Sequence, residues 1–208
     1  MFGDLRGPQL AIKRVLDLGG ALAGLVVLAP LLLVIAFLIR RDSPGPAFYR
    51  QRRVGQGGRP FNIVKLRTMV DGADAQVDQL RDRNLYPDAR LFKVVEDPRV
   101  TRVGRWLRRA SLDELPQLWN VLKGEMSLVG PRPALPTEVA LYRRHHYARF
   151  DAKPGITGPW QVAGRNEITD FNQIVMLETA YIRHWSLLSD LAILVRTIPA
   201  VFRMRGAH

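Results

Sequence analysis

The sequence predicts a mainly α-helical protein with a small β element, an α+β fold, whose N-terminal part enters a membrane. Three observations predict this class. An uncharged apolar run extends over residues 18–39, helical patterns recur through the rest of the chain, and residues 61–69 alternate as a strand does. With 208 residues, 47% of them hydrophobic, the chain is long and apolar enough to form its own core.

The composition narrows the range of partners and of chemistry. The net charge of +12 predicts a polyanionic partner, which leaves nucleic acid, anionic lipid and phosphorylated substrates open. Because the chain contains no cysteine, disulfides, thiolate metal sites and a cysteine nucleophile are excluded.

The apolar run at residues 18–39 is interpreted as a membrane segment. At a rise of ~1.5 Å per residue it can just cover the ~30 Å hydrocarbon core of a bilayer. A signal peptide is disfavoured because the small residues Ala21 and Ala23 lie at the start of the run rather than after it. A buried helix of a soluble protein is disfavoured because no polar face recurs at helical spacing.

Pro30 lies near the middle of this run, where a proline kinks or breaks a helix. Basic pairs flank both ends, Lys13-Arg14 and Arg40-Arg41, and such residues prefer the cytoplasmic side of a membrane. A re-entrant helix hairpin broken at Pro30 satisfies both pairs, whereas a straight span with a proline kink is the alternative. The chain then divides into an N-terminal segment, residues 1–42, and a membrane-docked domain, residues 43–208.

Basic residues recur early in the docked domain. Arg50, Arg52 and Arg53 are interpreted as facing lipid headgroups. The alternating strand at residues 61–69 then places Lys65 and Arg67 on one face, as a candidate pair of anion contacts. A solvated strand edge is the alternative interpretation.

Residues 136–150 and 171–184 are predicted to form helices. Residues 185–205 are mostly apolar but interrupted by charges, which predicts an amphipathic helix lying in the membrane interface. His145 and His146 are neighbours that cannot share a helix face, so they do not predict a metal site.

An acidic pair, Asp113-Glu114, begins a predicted helix over residues 111–123. Ser111 and Glu114 have the spacing of a capping box, and Asp113 would lie in the positive first turn of the helix. On this interpretation both carboxylates have only a structural role.

The surroundings of the pair favour chemistry on a phosphate instead. Pro116 stiffens the start of the helix. Arg132 is fixed between two prolines, and its planar fork suits bidentate binding of phosphate. Three upstream arginines share one helix face: Arg105, Arg108 and Arg109. An ionised carboxylate can attack phosphorus to form an acyl phosphate, and a second one beside it is a natural ligand for Mg²⁺.

Motifs along the whole chain resemble those of one family, the monotopic phosphoglycosyl transferases, also called bacterial sugar transferases. The matching segments are Lys13-Arg14-x-x-Asp17, KLRTM at 65–69, SLDELPQL at 111–118, NVLKGEMS at 120–127, GPRP at 130–133, PGITG at 154–158 and GRN at 164–166. They span roughly residues 11–205, and the resemblance implies the catalytic module alone. The family breaks its re-entrant helix at a Ser-Pro pair, where this chain has Ala29-Pro30.

The resemblance implies an enzyme that transfers a sugar 1-phosphate from a UDP-sugar to polyprenyl phosphate and releases UMP. It implies that Asp113 is the nucleophile and carries a covalent phosphosugar, and that Glu114 binds Mg²⁺. Arg108, Arg132 and Arg165 correspond to family arginines near the phosphates or the nucleotide. The implied location is the bacterial inner membrane, with the active site on the cytoplasmic face, at the first membrane step of polysaccharide or glycoconjugate synthesis.

An alternative function is a basic membrane-anchored protein that binds nucleic acid or anionic lipid without catalysis. The charge permits it, but the sequence shows no nucleic-acid motif and no series of aromatic residues for stacking bases, so no nucleic-acid partner is predicted. The identity of the sugar (galactose, glucose or an N-acetylated sugar) stays open, as does the oligomeric state, with a homodimer among the alternatives.

Overall fold

The computed structural model describes residues 7–88, 90–164 and 168–202, with the side chains of 201 and 202 left out. Within these ranges it is mainly helical with two small sheets, which confirms the predicted class. Helices α1 to α7 are Gly7–Asp42, Arg102–Arg109, Leu118–Lys123, Pro136–Val139, Pro159–Val162, Phe171–Arg183 and Leu187–Phe202. Strands β1 to β4 are Phe48–Val54, Pro60–Leu66, Ser127–Val129 and Gly155–Thr157.

Helix α1 has 36 residues and contains Pro30 without ending there. In the described part of the chain it is the one helix long and apolar enough to cross a membrane. One proline removes a single backbone donor, and helical structure continues on both sides of it. The two arms predicted for a hairpin therefore form one helical element, and the re-entrant path through the bilayer stays a prediction.

One face of α1 packs against the rest of the protein along most of the helix. Ala21, Ile35 and Ile39 are buried on this face, the first in a cluster with α3 and the other two in a cluster with α2. The opposite face exposes large apolar side chains, namely Val15, Leu22, Val26, Val27, Leu33, Val34 and Phe37. A continuous apolar face of this size suits contact with lipid.

Hydrogen bonds tie both ends of the apolar run to the same folded body. Before the run, Asp17 accepts hydrogen bonds from the Ser127 hydroxyl at 3.1 Å and from the Leu128 N–H at 3.0 Å. After the run, the Asp42 carboxylate accepts a hydrogen bond from the Val103 N–H at 2.9 Å. The start and the end of the membrane segment are therefore each attached to the same folded body.

The two sheets are small. β1 and β2 form an antiparallel hairpin in which Val54 lies opposite Pro60. The prediction of a strand at residues 61–69 is confirmed, although the strand covers residues 60–66. β3 and β4 form a parallel pair that the sequence did not predict, because each has only three residues and shows no readable period.

Helix α2 packs closely against the chain that leaves β2. A Cβ on Gly104 would lie 2.0 Å from the Thr68 carbonyl oxygen, so only glycine allows this approach. Thr101 caps the helix by accepting a hydrogen bond from the Gly104 N–H at 3.0 Å. This packing fixes the position of the arginines on the last turn of α2.

The C-terminal half confirms some of the predicted helices. The helix predicted over 136–150 is wrong, because α4 ends at Val139 and a 3₁₀ helix covers Arg144–Asp151. Helix α6 confirms the prediction at 171–184. Helix α7 lies within the predicted 185–205 and exposes one apolar face: Leu188, Leu191, Val195 and Ile198. Its place in the membrane interface stays a prediction.

Candidate active site

The carboxylate pair lies on a 3₁₀ helix, Leu112–Gln117, between α2 and α3. Asp113 and Glu114 occupy its first turn. Ser111 precedes it with a left-handed backbone, φ 53°, and its side chain makes no capping hydrogen bond. A capping residue requires an extended backbone, so the predicted capping box is wrong. The helix predicted over residues 111–123 is likewise divided between this 3₁₀ helix and α3.

We expect Ser111→Gly to leave the free energy of unfolding unchanged or to raise it by about 1 kcal/mol, because glycine adopts the left-handed region without the penalty that serine carries. Thr101→Ala, at a helix cap, should lower the free energy of unfolding by roughly 1 kcal/mol. Thermal unfolding of the detergent-solubilised chain measures both changes. A loss in Ser111→Gly as large as that in Thr101→Ala would restore the capping role.

Strand β2 brings Lys65 to the carboxylate pair. The Lys65 ammonium donates to Glu114 Oε1 at 2.9 Å, and both side chains are 21% exposed. The pair is therefore partly shielded from water yet still reachable by a ligand. The sequence predicted Lys65 as an anion contact, and the structure places it directly beside one of the predicted catalytic carboxylates.

A buried asparagine fixes α3 against the same strand. Asn120 accepts from the Val64 N–H at 3.0 Å and donates to the Asn62 carbonyl at 2.7 Å. Its amide also donates to Glu125 at 2.7 Å, which satisfies a fully buried side chain. The 3₁₀ helix that carries the carboxylates is thus held between α2 and α3, both of which are attached to the end or the edge of β2.

Arg108 lies on the last turn of α2, close to Asp113. Its Nε donates to the Thr68 hydroxyl at 2.9 Å. Burial lowers the pKa of Arg108, and the Asp113 carboxylate opposes that shift. Because an arginine starts from a pKa above ~12, it stays charged at neutral pH. The structure therefore brings together the predicted nucleophile and one of the predicted phosphate contacts.

Arg132 lies between β3 and α4. Its Nη1 donates to both carboxylate oxygens of Glu138 at 3.2 Å, and its guanidinium lies 5.8 Å from the centre of the Trp160 ring. Burial opposes the charge of Arg132, but Glu138 raises its pKa above the ordinary value. The Arg132 side chain is 30% exposed, so it is not sealed from solvent.

Two buried residues hold the backbone of Arg132. Glu178 accepts a hydrogen bond from the Arg132 N–H at 2.8 Å, and Arg149 donates to the Arg132 carbonyl at 3.0 Å. Arg149 and Glu178 also form an ion pair at 2.7 Å, with side chains 2% and 0% exposed. Sequence reasoning missed both residues because they lie 17 and 46 positions from Arg132.

Arg53 also contacts this loop, and its interpretation as a residue facing lipid headgroups is wrong. β1 alternates so that Arg50 and Arg52 are exposed while Arg53 is buried. Arg53 Nη1 donates to the Pro133 carbonyl at 3.0 Å, one residue beyond Arg132. The period of two in the strand was the signal that would have separated Arg53 from its two neighbours.

Arg67 and Arg165 are the two other predicted anion contacts. The Arg67 guanidinium donates to the backbone carbonyls of Ser43, at 2.8 Å, and of Pro44. It secures the chain where it leaves α1, so its predicted contact with an anion stays a prediction. Arg165 lies outside the described residues, and its predicted contact likewise stays a prediction.

The residues present fit a magnesium ion that is held jointly with a substrate. Among the described residues no group of three or more histidines, aspartates or glutamates is arranged to hold a metal. Mg²⁺ is commonly bound by one or two carboxylates together with phosphate oxygens of the substrate. Asp113 and Glu114 supply carboxylate oxygens of this kind on a single turn.

The arrangement suits chemistry on a phosphate near a membrane. Over the described residues, basic and acidic side chains gather at the site: Lys65, Arg53, Arg108 and Arg132 with Asp113, Glu114 and Glu138. Prepositioned cations lower the barrier for the approach of one anion to another. Leu112, next to Asp113, packs against the cluster of Ile35 and Ile39, so the carboxylate pair lies beside α1.

Known proteins with similar sequences match nearly the whole chain. The family model described as bacterial sugar transferase matches residues 8–204. The chain is 44% identical over 200 residues to the galactosyl transferase CpsE of Streptococcus agalactiae, covering 96% of this chain and 44% of that protein. It thus spans less than half of the length of that relative.

Two further relatives are matched over more of their length. The chain is 42% identical over 199 residues to the exopolysaccharide production protein ExoY of Sinorhizobium fredii, covering 94% of this chain and 88% of that protein. It is 44% identical over 214 residues to the UDP-glucose:undecaprenyl-phosphate glucose-1-phosphate transferase of Caulobacter vibrioides, covering 97% of this chain and 74% of that protein.

Proposed function

Because this chain belongs to the bacterial sugar transferase family, we propose that it transfers a sugar 1-phosphate from a UDP-sugar to polyprenyl phosphate, with UMP as the second product. The observation that carries the proposal is the carboxylate pair Asp113-Glu114, held on a fixed turn among cations and beside the membrane helix. Undecaprenyl phosphate is named as a substrate of the matched Caulobacter relative, and the proposal extends it to this chain.

In the first proposed step, an Asp113 carboxylate oxygen attacks the phosphorus that bears the sugar. A bond forms between that oxygen and phosphorus, the bond from phosphorus to the bridging oxygen of the diphosphate breaks, and UMP leaves with that oxygen. In this proposal Arg108, close to Asp113, and Arg132, whose side chain is 30% exposed, balance negative charge on the transferring phosphate. Asp113 then carries the sugar phosphate.

In the second proposed step, a phosphate oxygen of the polyprenyl phosphate attacks the same phosphorus. The bond from phosphorus to Asp113 breaks, and the carboxylate is restored. No proton has to be transferred to the aspartate, because a carboxylate is a weak base and leaves phosphorus as the anion at neutral pH. The product is a polyprenyl diphosphate sugar.

Glu114 is the proposed ligand of Mg²⁺. When bound, the cation would neutralise charge on the diphosphate and on the departing phosphate. Lys65 donates to Glu114 Oε1 at 2.9 Å and thereby orients this carboxylate.

The proposed topology is a re-entrant helix that enters and leaves through the cytoplasmic leaflet of the bacterial inner membrane. Its support is that Asp17 and Asp42, at the two ends of the apolar run, both bond to one folded body. A straight span would have to place one of these contacts on the far side of the bilayer. The proposed role is the first membrane step of polysaccharide or glycoconjugate synthesis.

The test is UMP release by the purified full chain in detergent or nanodiscs. We expect UMP to form when undecaprenyl phosphate, Mg²⁺ and one member of a panel of UDP-sugars are supplied together, and the productive member identifies the sugar. Omission of Mg²⁺ should abolish the reaction. Salt-sensitive DNA binding with no UMP from any member of the panel would instead support the binding protein without catalysis.

A further inference from the structure

Arg53 carries a buried charge whose partners are incomplete. Its side chain lies next to the loop that holds Arg132, and the residue is 8% exposed. Nη1 donates to the Pro133 carbonyl and Nη2 to Gln51 Oε1, but the buried Nε has no hydrogen-bond partner. None of the carboxylates in the described residues forms a salt bridge with it. A buried cation without a counterion is costly.

The charges around Arg53 do not resolve this imbalance. Burial, and then the nearby charge of Arg132, lower the pKa of Arg53 to about 10, while Glu138 and Glu114 oppose the shift. Both of these carboxylates are already engaged, Glu138 by Arg132 and Glu114 by Lys65. Arg53 is therefore still charged at neutral pH, and it lies beside the loop that carries a second guanidinium, that of Arg132.

A bound anion would balance the charge of Arg53, which lies next to the loop that carries Arg132 and within electrostatic reach of Glu114. From this we infer that Arg53 is a further anion-binding residue, which supplies with Arg132 the second cation for the diphosphate of the nucleotide sugar. The inference rests on the proposed function, and it assigns to that site a residue from β1. A diphosphate matches the arrangement because it brings at least two negative charges to two forked donors.

The adjacent residue Arg52 provides a matched control. It has the same charge and lies on the same strand, but it points to the opposite, exposed face. If surface charge alone attracted the diphosphate, replacing Arg52 or Arg53 would weaken diphosphate binding equally. If Arg53 contacts the diphosphate, only its replacement would weaken binding.

The experiment compares Arg53→Met, Arg53→Lys and Arg52→Met in the detergent-solubilised full chain. Calorimetry measures the dissociation constants of UDP and of inorganic diphosphate, and UMP release gives kcat and KM. We expect Arg53→Met to weaken binding of both ligands and to raise KM about tenfold or more. Arg53→Lys should recover most of the binding, and Arg52→Met should match the wild type.

Equal diphosphate binding by Arg53→Met and wild type would overturn the inference, and so would an equal loss in Arg52→Met. If Arg53→Met does not fold, Arg53→Gln, which removes the charge but keeps hydrogen-bond donors, takes its place, and diphosphate binding equal to that of the wild type would equally overturn the inference. Because the binding measurement does not depend on turnover, absence of UMP release by the wild type would count against the proposed function, while selective loss of binding in Arg53→Met would still support the anion site.

Discussion

Asp113→Asn is expected to lower the rate of UMP release by roughly 10⁴-fold or more, because it removes the attacking oxygen of a covalent mechanism. The amide keeps the shape of the carboxylate, so the 3₁₀ helix and the neighbouring Arg108 should keep their positions. Wild-type chain incubated with a UDP-sugar and no lipid acceptor should gain the mass of a sugar phosphate on the peptide that contains Asp113. The variant should gain none.

Asp78→Asn serves as the control for this experiment. Asp78 is an exposed aspartate that forms an ion pair with Arg81. It is the same residue type as Asp113 but has no part in the proposed reaction. It should turn over at the wild-type rate and form the same adduct. Near-normal turnover in Asp113→Asn would return the pair to a structural role. UMP release by the wild type only in the presence of lipid phosphate, with no adduct, would contradict the two-step mechanism.

Glu178→Gln is expected to lower the free energy of unfolding by about 3–5 kcal/mol, the largest loss of stability predicted for this chain. The substitution conserves volume but leaves the charge of Arg149 buried and unpaired. Thermal unfolding measures it, and at this chain length each 1 kcal/mol corresponds to roughly 2–4 °C. The loss should extend to activity, because Arg149, which the ion pair with Glu178 holds in place, donates to the Arg132 carbonyl.

A surface pair of similar length provides the comparison. Arg81 and Asp78 lie 2.7 Å apart, as Arg149 and Glu178 do, but their side chains are 68% and 82% exposed. Asp78→Asn should lower the free energy of unfolding by less than about 1 kcal/mol, because water screens an exposed ion pair and solvates the remaining partner. A loss in Glu178→Gln no greater than in Asp78→Asn would show that burial adds nothing to the Arg149 pair.

Local patterns were sufficient to predict the membrane helix, the carboxylate pair and three of its cations. The apolar run and the acidic pair are contiguous in sequence, so composition and spacing reveal them directly. Lys65 and Arg132 lie in distinctive motifs whose residue types already suggest binding of phosphate, and Arg108 shares a helix face with two other arginines.

What sequence reasoning missed depends on contacts between distant segments. Arg53 is the same residue type as its neighbours Arg50 and Arg52, and only the pairing of β1 with β2 shows which side of the strand is buried. Glu178 lies in an ordinary amphipathic helix, and its role depends on how α6 packs against the loop of Arg132. Ser111 matched the spacing of a capping box, but the left-handed turn that prevents capping is a property of the tertiary structure.

The attachment of both ends of α1 to one body has a consequence for biogenesis. With the proposed re-entrant topology, no charged residue has to be translocated, since the basic pairs before and after the apolar run stay on the side where the chain is synthesised. The folded body can form first, with Asp17 and Asp42 bonded to it, and carry the helix into a single leaflet. Insertion is then a partitioning step driven by apolar side chains rather than a crossing that needs a protein-conducting channel.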